Sequence, residues 1–241
     1  MSHGFKASGP IAEAALASSA ETELGLPGRI PSADLRFLDV ELSGLDFEID
    51  LVYANADHPL NNFGQIYRKS ARMIGHRTMV EILVQVCGFC TENFGWKLRL
   101  LDCLRPREAQ ELMLEAFPLP KSLLSQPGSG GHARGMAIDL QPMKDGVPVD
   151  FGSSYDDFSK EGLVRAHRDF MFLSEPARVR NGILANRHRL DRAFAHASGI
   201  IGIPIDGVLT EWWDYRIPNS ISAGFAPVSD EDLPNEMRMV S

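Results

Sequence analysis

Residues 131–140 have the sequence Gly-His-Ala-Arg-Gly-Met-Ala-Ile-Asp-Leu. The apolar run 136–140 is typical of a short strand, and the glycine that precedes it permits a bend that carries Asp139 back towards His132. Histidine and aspartate are both ligands of catalytic zinc, which takes three protein ligands and keeps one position for water. The segment therefore predicts a strand and two candidate metal ligands. Their spacing alone is weakly specific, and His132 by itself is more typical of a surface loop.

The composition narrows the classes of function. The chain has 241 residues, of which 44% are hydrophobic and 23% charged, as expected of one principal domain with a proper core. The net charge of -8 argues against nucleic acid or membrane as a partner, because both need clustered Lys and Arg. A small peptide or other small molecule fits better, and the oligomeric state stays open.

The number of cysteines and the sequence of the amino terminus indicate the cellular compartment in which the protein is expected. Three cysteines cannot form a disulfide framework, and the chain starts without the basic and apolar regions of a signal peptide. We expect a cytoplasmic protein, although a specialised export route would leave no such mark. Cys87 and Cys90 have the spacing of a redox pair, but they lie inside a predicted helix and are expected to be buried packing.

The chain divides into three predicted segments. Residues 1–33 are rich in Ala, Ser, Gly and Glu and are predicted to be a partly disordered extension with at most one helix, near residues 11–20. Residues 34–228 form the domain, and residues 229–241 form an acidic, loosely held tail. Hydrophobic periodicity predicts strands at 35–40, 47–53, 97–103, 136–140 and 207–215, and helices within 72–94, after Pro106, and at about 160–173 and 182–198.

A second acidic group follows in Glu211-Trp212-Trp213-Asp214. Glu211 can act as a general base if it faces a metal-bound water without binding the metal. Residues three apart lie on opposite faces of a regular strand, so Glu211 and Asp214 converge only at a strand end or bend. In a strand, one tryptophan would be core and the other would wall the pocket.

The order of several motifs resembles that of the D-alanyl-D-alanine dipeptidases, which are zinc peptidases. The resemblance covers about residues 35 to 217, in one order with plausible gaps. The motifs are Tyr53-Ala54-Asn55-Ala56-Asp57, Asn62-Phe63-Gly64, Asp102-Cys103-Leu104-Arg105-Pro106, His132 to Asp139, Tyr155-Asp156 and Glu211-Trp212-Trp213.

The resemblance implies a fold and a set of roles. The fold is a single compact α+β domain, an antiparallel sheet flanked by helices, with one Zn²⁺ in a cleft beside the sheet. The implied roles are zinc ligands for His132 and Asp139, catalytic base for Glu211, oxyanion stabilisation for Arg105, and substrate binding for Asp156, which receives the free amine, and Tyr53.

Two positions depart from the family. The third ligand there is a histidine directly after the two tryptophans, where this chain has Asp214. We take Asp214 as the third ligand; a carboxylate makes the ligand set more anionic and the metal a weaker Lewis acid. Gly130 stands where the family usually offers a serine to the substrate.

Other interpretations remain open from sequence alone. Arg105 before a proline is by default a solvated arginine with an ion partner, and Asp156 is equally suited to cap a helix. Besides a dipeptidase, the sequence allows a related carboxypeptidase or amidase of cell-wall peptides. It also allows a degenerate peptide-binding protein that has lost turnover through Asp214 and Gly130.

Overall fold

The longest strand lies inside a sheet of six strands and is buried at seven of its eight positions. The computed structural model describes residues 27–117, 120 and 123–240, so the helix predicted near residues 11–20 lies outside the described residues. The strands are β1 (Leu35–Phe37), β2 (Phe47–Ile49), β3 (Ile74–His76), β4 (Lys97–Asp102), β5 (Ala137–Lys144), β6 (Val147–Pro148), β7 (Asp206–Gly207) and β8 (Asp214–Arg216). The helices are α1 (Leu38–Glu41), α2 (Arg77–Phe94), α3 (Arg107–Ala116), α4 (Lys160–Ala166), α5 (Ala177–Ile201) and α6 (Asn219–Ser222).

The main sheet has the order β2-β4-β5-β8-β7, and β6 pairs with the far end of β5. All its pairs are antiparallel except β2 with β4, which is parallel. Strands β1 and β3 form a separate antiparallel pair. The α+β class, with a largely antiparallel sheet flanked by helices, is confirmed, and one parallel pair is added to it.

The predicted core helix is α2, whose apolar stripe packs beside α5. Cys87 and Cys90 are fully buried on it, and burial raises the pKa of the Cys87 thiol to about 12. The thiols are thus held in their unreactive form, as expected of packing residues. Within the described parts of the chain, no helix combines the length and the apolar character needed to cross a bilayer.

Three local predictions were wrong. The two early strands stop at Phe37 and Ile49, because the chain then turns into α1 and into a short 3₁₀ helix. The last predicted strand is broken into β7 and β8 by a turn. Residues 229–240 are not loosely held: Met239 is fully buried, and its backbone N–H donates to the buried Asp230 carboxylate at 2.6 Å.

One buried histidine makes stability depend on pH. His76 caps α2, where its Nδ1 accepts a hydrogen bond from the Thr78 backbone at 3.3 Å, and it is 1% exposed. Burial lowers the pKa of His76 from 6.5 to about 4. Because the folded-state pKa lies below the unfolded one, the stabilisation is complete above pH 6.5 and is lost as pH falls towards 4.

We therefore expect the free energy of unfolding to fall between pH 7 and pH 4.5 by about 2 kcal/mol more in the wild type than in His76→Asn. Asparagine keeps a capping acceptor but does not titrate. Urea unfolding of both proteins at the two pH values measures this, and the comparison removes the contribution of other titrating groups. Equal losses in the two proteins would contradict the assignment.

Candidate active site

Three aspartates lie side by side on three neighbouring strands. The register pairs Asp102 of β4 with Asp139 of β5, and Asp139 with Asp214 of β8. All three are buried. Like charges directly opposite each other destabilise a sheet, so this row of carboxylates requires cationic groups beside it.

His132 is one of the groups beside this row. It lies in a short 3₁₀ turn that ends at Gly135, whose φ of 63° and tight contact with the His76 backbone exclude a side chain. The His132 Nδ1 lies 2.8 Å from the Cys103 carbonyl oxygen, which can only accept, so Nδ1 carries the proton. The opposite nitrogen, Nε2, faces the carboxylates, as it does in metal-ligating histidines.

The distances show how closely His132 meets two of the aspartates. Its Nε2 lies 3.4 Å from Asp139 Oδ1 and 3.6 Å from Asp214 Oδ2. Burial would lower the pKa of His132, but the negative charge of Asp139 and the close polar contacts with both aspartates outweigh it and raise the pKa to about 10. Burial would raise the pKa of Asp214, but His132 and Arg216 hold it well below its usual range. The site thus favours positive charge between the two carboxylates.

One carboxylate oxygen identifies where a cation fits. Asp139 Oδ1 is buried and has no hydrogen-bond partner among the described residues, which is a costly state for a carboxylate. Its other oxygen, Oδ2, accepts from Tyr155 at 3.2 Å and meets Arg105 at 3.5 Å. A carboxylate oxygen without a hydrogen bond, next to an imidazole nitrogen, is a donor pair that suits a divalent metal.

Two aspartates compete for the place of third ligand. Ligand atoms of Asp102, His132 and Asp139 lie within 4.8 Å of one another and could hold a metal ion. However, Asp102 Oδ1 already accepts from Tyr67 at 2.8 Å, and its Oδ2 accepts from Arg105 Nε at 2.8 Å. We therefore regard Asp102 as the partner that holds Arg105, and the ligand role of Asp214 stays a prediction.

Arg105 lies between β4 and α3, the strand-to-helix junction that the sequence predicts. Its Nη1 donates to Gln110 at 3.0 Å, and its backbone N–H donates to the His132 carbonyl at 2.9 Å. With Asp102 on Nε, the guanidinium is fixed from two sides, and it lies over the Tyr53 ring at 5.4 Å. The default expectation of a solvated arginine is wrong, because the side chain is only 13% exposed.

Glu211 lies in the turn between β7 and β8. The Asp214 backbone N–H donates to the Glu211 carbonyl at 3.4 Å, and both side chains line the same cavity. The bend required for their convergence is therefore present. Burial, followed by the negative charges of Asp214 and Asp139, raises the pKa of Glu211.

Asp156 is held at the cavity by Tyr53, which in turn contacts Tyr155. The Tyr53 hydroxyl donates to Asp156 Oδ2 at 2.6 Å and lies 2.6 Å from the Tyr155 hydroxyl. Burial raises the pKa of Asp156 to about 7. The alternative that Asp156 caps a helix is wrong, because α4 begins at Lys160 and Ser159 is its cap.

A cavity of about 270 Å³ unites the predicted site residues. The residues of the prediction that line it are Tyr53, Arg105, His132, Asp139, Asp156, Glu211 and Asp214. Neither tryptophan of the acidic motif lines it. Trp212 stacks on Phe151 and Trp213 packs against Tyr155, so both are core, because the turn places them behind the cavity.

Sequence reasoning missed two groups that shape the site. Tyr155 donates to Asp139, and Arg216 binds Asp214. The sequence did contain a signal for Arg216. Residues two apart on a strand share a face, so an arginine two residues after Asp214 is placed to contact its carboxylate. Tyr155 lies in a turn outside the strands, and its contact with Asp139, 16 residues away, had no such local signal.

Comparison with known proteins shows which proteins this chain is similar to. A model of the D-ala-D-ala dipeptidase family matches residues 33–231. The D-alanyl-D-alanine dipeptidase of Escherichia coli (strain K12) is 29% identical over 178 residues, which are 73% of this chain and 82% of that protein. The L-Ala D-Glu endopeptidase of Serratia marcescens, a solved structure, is 12% identical with a TM-score of 0.38, over 70% of this chain and 90% of that chain. The match to the family model spans most of the chain, which therefore belongs to the D-ala-D-ala dipeptidase family.

Proposed function

We propose that the protein is a zinc-dependent dipeptidase for small peptides with a free amino terminus, with D-alanyl-D-alanine as the first substrate to test. The observation that carries the proposal is that one cavity is lined by a metal-type donor pair, a carboxylate base, a fixed arginine and a further carboxylate. Membership of the family supports a peptidase, and the Escherichia coli relative supports this substrate. The cytoplasmic location expected from the sequence stays a prediction.

The metal would be held by His132, Asp139 and Asp214. When bound, zinc supplies a water whose pKa is lowered to about 7 and a Lewis acid for the peptide carbonyl. His132 presents Nε2 because its Nδ1–H is committed to the Cys103 carbonyl at 2.8 Å. Tyr155 fixes the Asp139 carboxylate through Oδ2, which leaves Oδ1 for the metal.

Glu211 is proposed to move the proton. Its carboxylate accepts a proton from the attacking water and delivers it to the nitrogen of the scissile bond, which leaves as an amine. Burial and neighbouring negative charge raise its pKa, which makes it a stronger base than an exposed glutamate.

Arg105 and Asp156 are proposed to orient the substrate. Arg105 carries a permanent charge and is fixed by Asp102 and Gln110, so its guanidinium is preorganised for the oxyanion that develops on the carbonyl. Asp156, held by Tyr53, offers a half-buried carboxylate to the substrate ammonium. A positioned charge of this kind discriminates against a substrate that cannot pair with it.

The amine role gives a direct prediction. We expect the wild type to cleave amino-acetylated dipeptides far more slowly than free ones, and Asp156→Asn to lose about tenfold or more of that discrimination. Asparagine is suited to the test because it tolerates the positive φ of 47° at this position. The measurement is kcat/KM for both substrates with both proteins.

The same measurement separates the alternatives. Equal rates on free and blocked peptides would favour a carboxypeptidase acting on cell-wall peptides. Zinc content together with hydrolysis of D-alanyl-D-alanine tests the proposal itself. A protein that binds the dipeptide without cleaving it would instead be a degenerate binding protein.

A further inference from the structure

Arg216 binds the aspartate that departs from the family pattern. The two residues lie on the same face of β8, and Arg216 Nε donates to Asp214 Oδ1 at 3.2 Å. Its Nη2 donates to the other oxygen, Oδ2, so the pair is bidentate. The Arg216 side chain is 22% exposed and lines the cavity. A forked ion pair of this kind is stronger and better oriented than a single contact.

The same guanidinium also lies against the second departing position. A Cβ built on Gly130 would lie 3.6 Å from Arg216 Nη1, in ordinary contact, so a longer side chain at residue 130 would compete with the arginine for this space. Gly130 also has a φ of 71°, which other side chains rarely adopt. Asp214 and Gly130 therefore accommodate one and the same arginine.

The charges explain why the arginine matters to a metal. A neutral His132 with Asp139 and Asp214 carries two negative charges, and Arg216 offsets one of them. The net charge that remains is one negative charge, which equals the net charge of two neutral imidazoles and one carboxylate. Arg105 does not change this sum, because its charge is matched by Asp102, which it contacts at 2.7 Å.

We propose that Arg216 is a charge-compensating positioning residue. It offsets the negative charge of Asp214, so that the Asp214–Arg216 pair has the net charge of a neutral ligand beside the metal. The inference rests on the proposed function, since it takes zinc to bind beside Asp214. It replaces the expectation from sequence that the aspartate alone makes the ligand set more anionic. It also means that Asp214→His by itself leaves the positive charge of Arg216 beside the metal without the Asp214 carboxylate that offsets it.

The test is the zinc affinity of four variants, measured by competition with a chromophoric chelator at one pH and ionic strength. We expect Arg216→Gln to bind zinc about tenfold more tightly, because a positive charge near the metal is removed and Asp214 is released. Its turnover should nevertheless fall, because the loaded site has lost positive charge. Arg216→Lys, which keeps the charge, should stay near the wild-type affinity.

The other two variants change the aspartate. Asp214→His should bind zinc about tenfold or more weakly, because a negative charge is lost while Arg216 stays. The double variant Asp214→His with Arg216→Gln should return to within a few-fold of the wild type, since its ligand set has the same total charge.

Two controls separate charge from folding. Arg72→Gln removes an equally bidentate arginine, on Asp39, and should leave zinc affinity unchanged. Thermal melting of the metal-free proteins should show Arg216→Gln less stable than the wild type, because Asp214 loses its partner, and more stabilised than the wild type by added zinc.

Each outcome decides between the two proposals. If the wild type binds zinc and a folded Arg216→Gln binds it equally or more weakly, the charge role is overturned and the proposed function stands. An Asp214→His variant that matches or exceeds the wild-type affinity overturns it as well. If neither the wild type nor any variant binds zinc, both proposals fall together.

Discussion

Glu211→Gln is expected to keep its zinc and to lose at least about a hundredfold in kcat, because general base catalysis contributes that much or more. Glutamine is nearly isosteric with glutamate but cannot accept the proton. Metal content and dipeptide hydrolysis, measured on the same preparation, test both halves of this expectation. Glu161→Gln is the matched control, since the Glu161 side chain is 81% exposed and is absent from the cavity lining.

Two results would contradict this role for Glu211. Loss of zinc together with activity would make Glu211 a ligand, which its place in the turn beside Asp214 leaves geometrically feasible. Unchanged hydrolysis would remove Glu211 from the mechanism, and the proton would then have to pass through another group.

His132→Ala is expected to lose both zinc and activity. The variant removes Nε2, the imidazole nitrogen that faces Asp139 and Asp214, and leaves the two carboxylates without the group between them. We expect zinc affinity to fall by at least about a hundredfold, and hydrolysis to fall to background. Equilibrium dialysis followed by elemental analysis measures the first effect.

His188→Ala serves as the control for this variant. His188 is exposed on α5 and is absent from the cavity lining, so its removal should leave both zinc content and turnover unchanged. Full zinc occupancy in His132→Ala would show that the zinc binds at another place in the protein. A variant that keeps the fold but binds no zinc would support the assignment.

Local patterns predicted the elements whose structure depends on their own residues. The helix expected within 72–94 forms at Arg77–Phe94, because its apolar residues recur at the helical period and bury one face. The strand expected at 97–103 forms at Lys97–Asp102, and the junction that follows places Arg105 as expected. Predictions failed where the chain turns early, as after Phe37, since tertiary contacts and not local preference end those strands.

The candidate site divides in the same way. Motif order and residue chemistry pointed to His132, Asp139 and Glu211. Histidine and aspartate side chains can bind a metal, and a glutamate carboxylate can transfer a proton. The pairing of Tyr53 with Asp156 at 2.6 Å depends on a contact between residues 103 apart, which no local pattern reports.

The order of motifs in the sequence by itself carried the family resemblance, and the resemblance implied the α+β class and seven of the residues that line the cavity. Only the tertiary structure decided how the charges are matched. The register of three strands places Asp102, Asp139 and Asp214 in one row, and each of the outer two receives its own arginine. Charge interaction depends on distance in space and on burial, so whether Asp214 stands alone or is neutralised by Arg216 is fixed by packing.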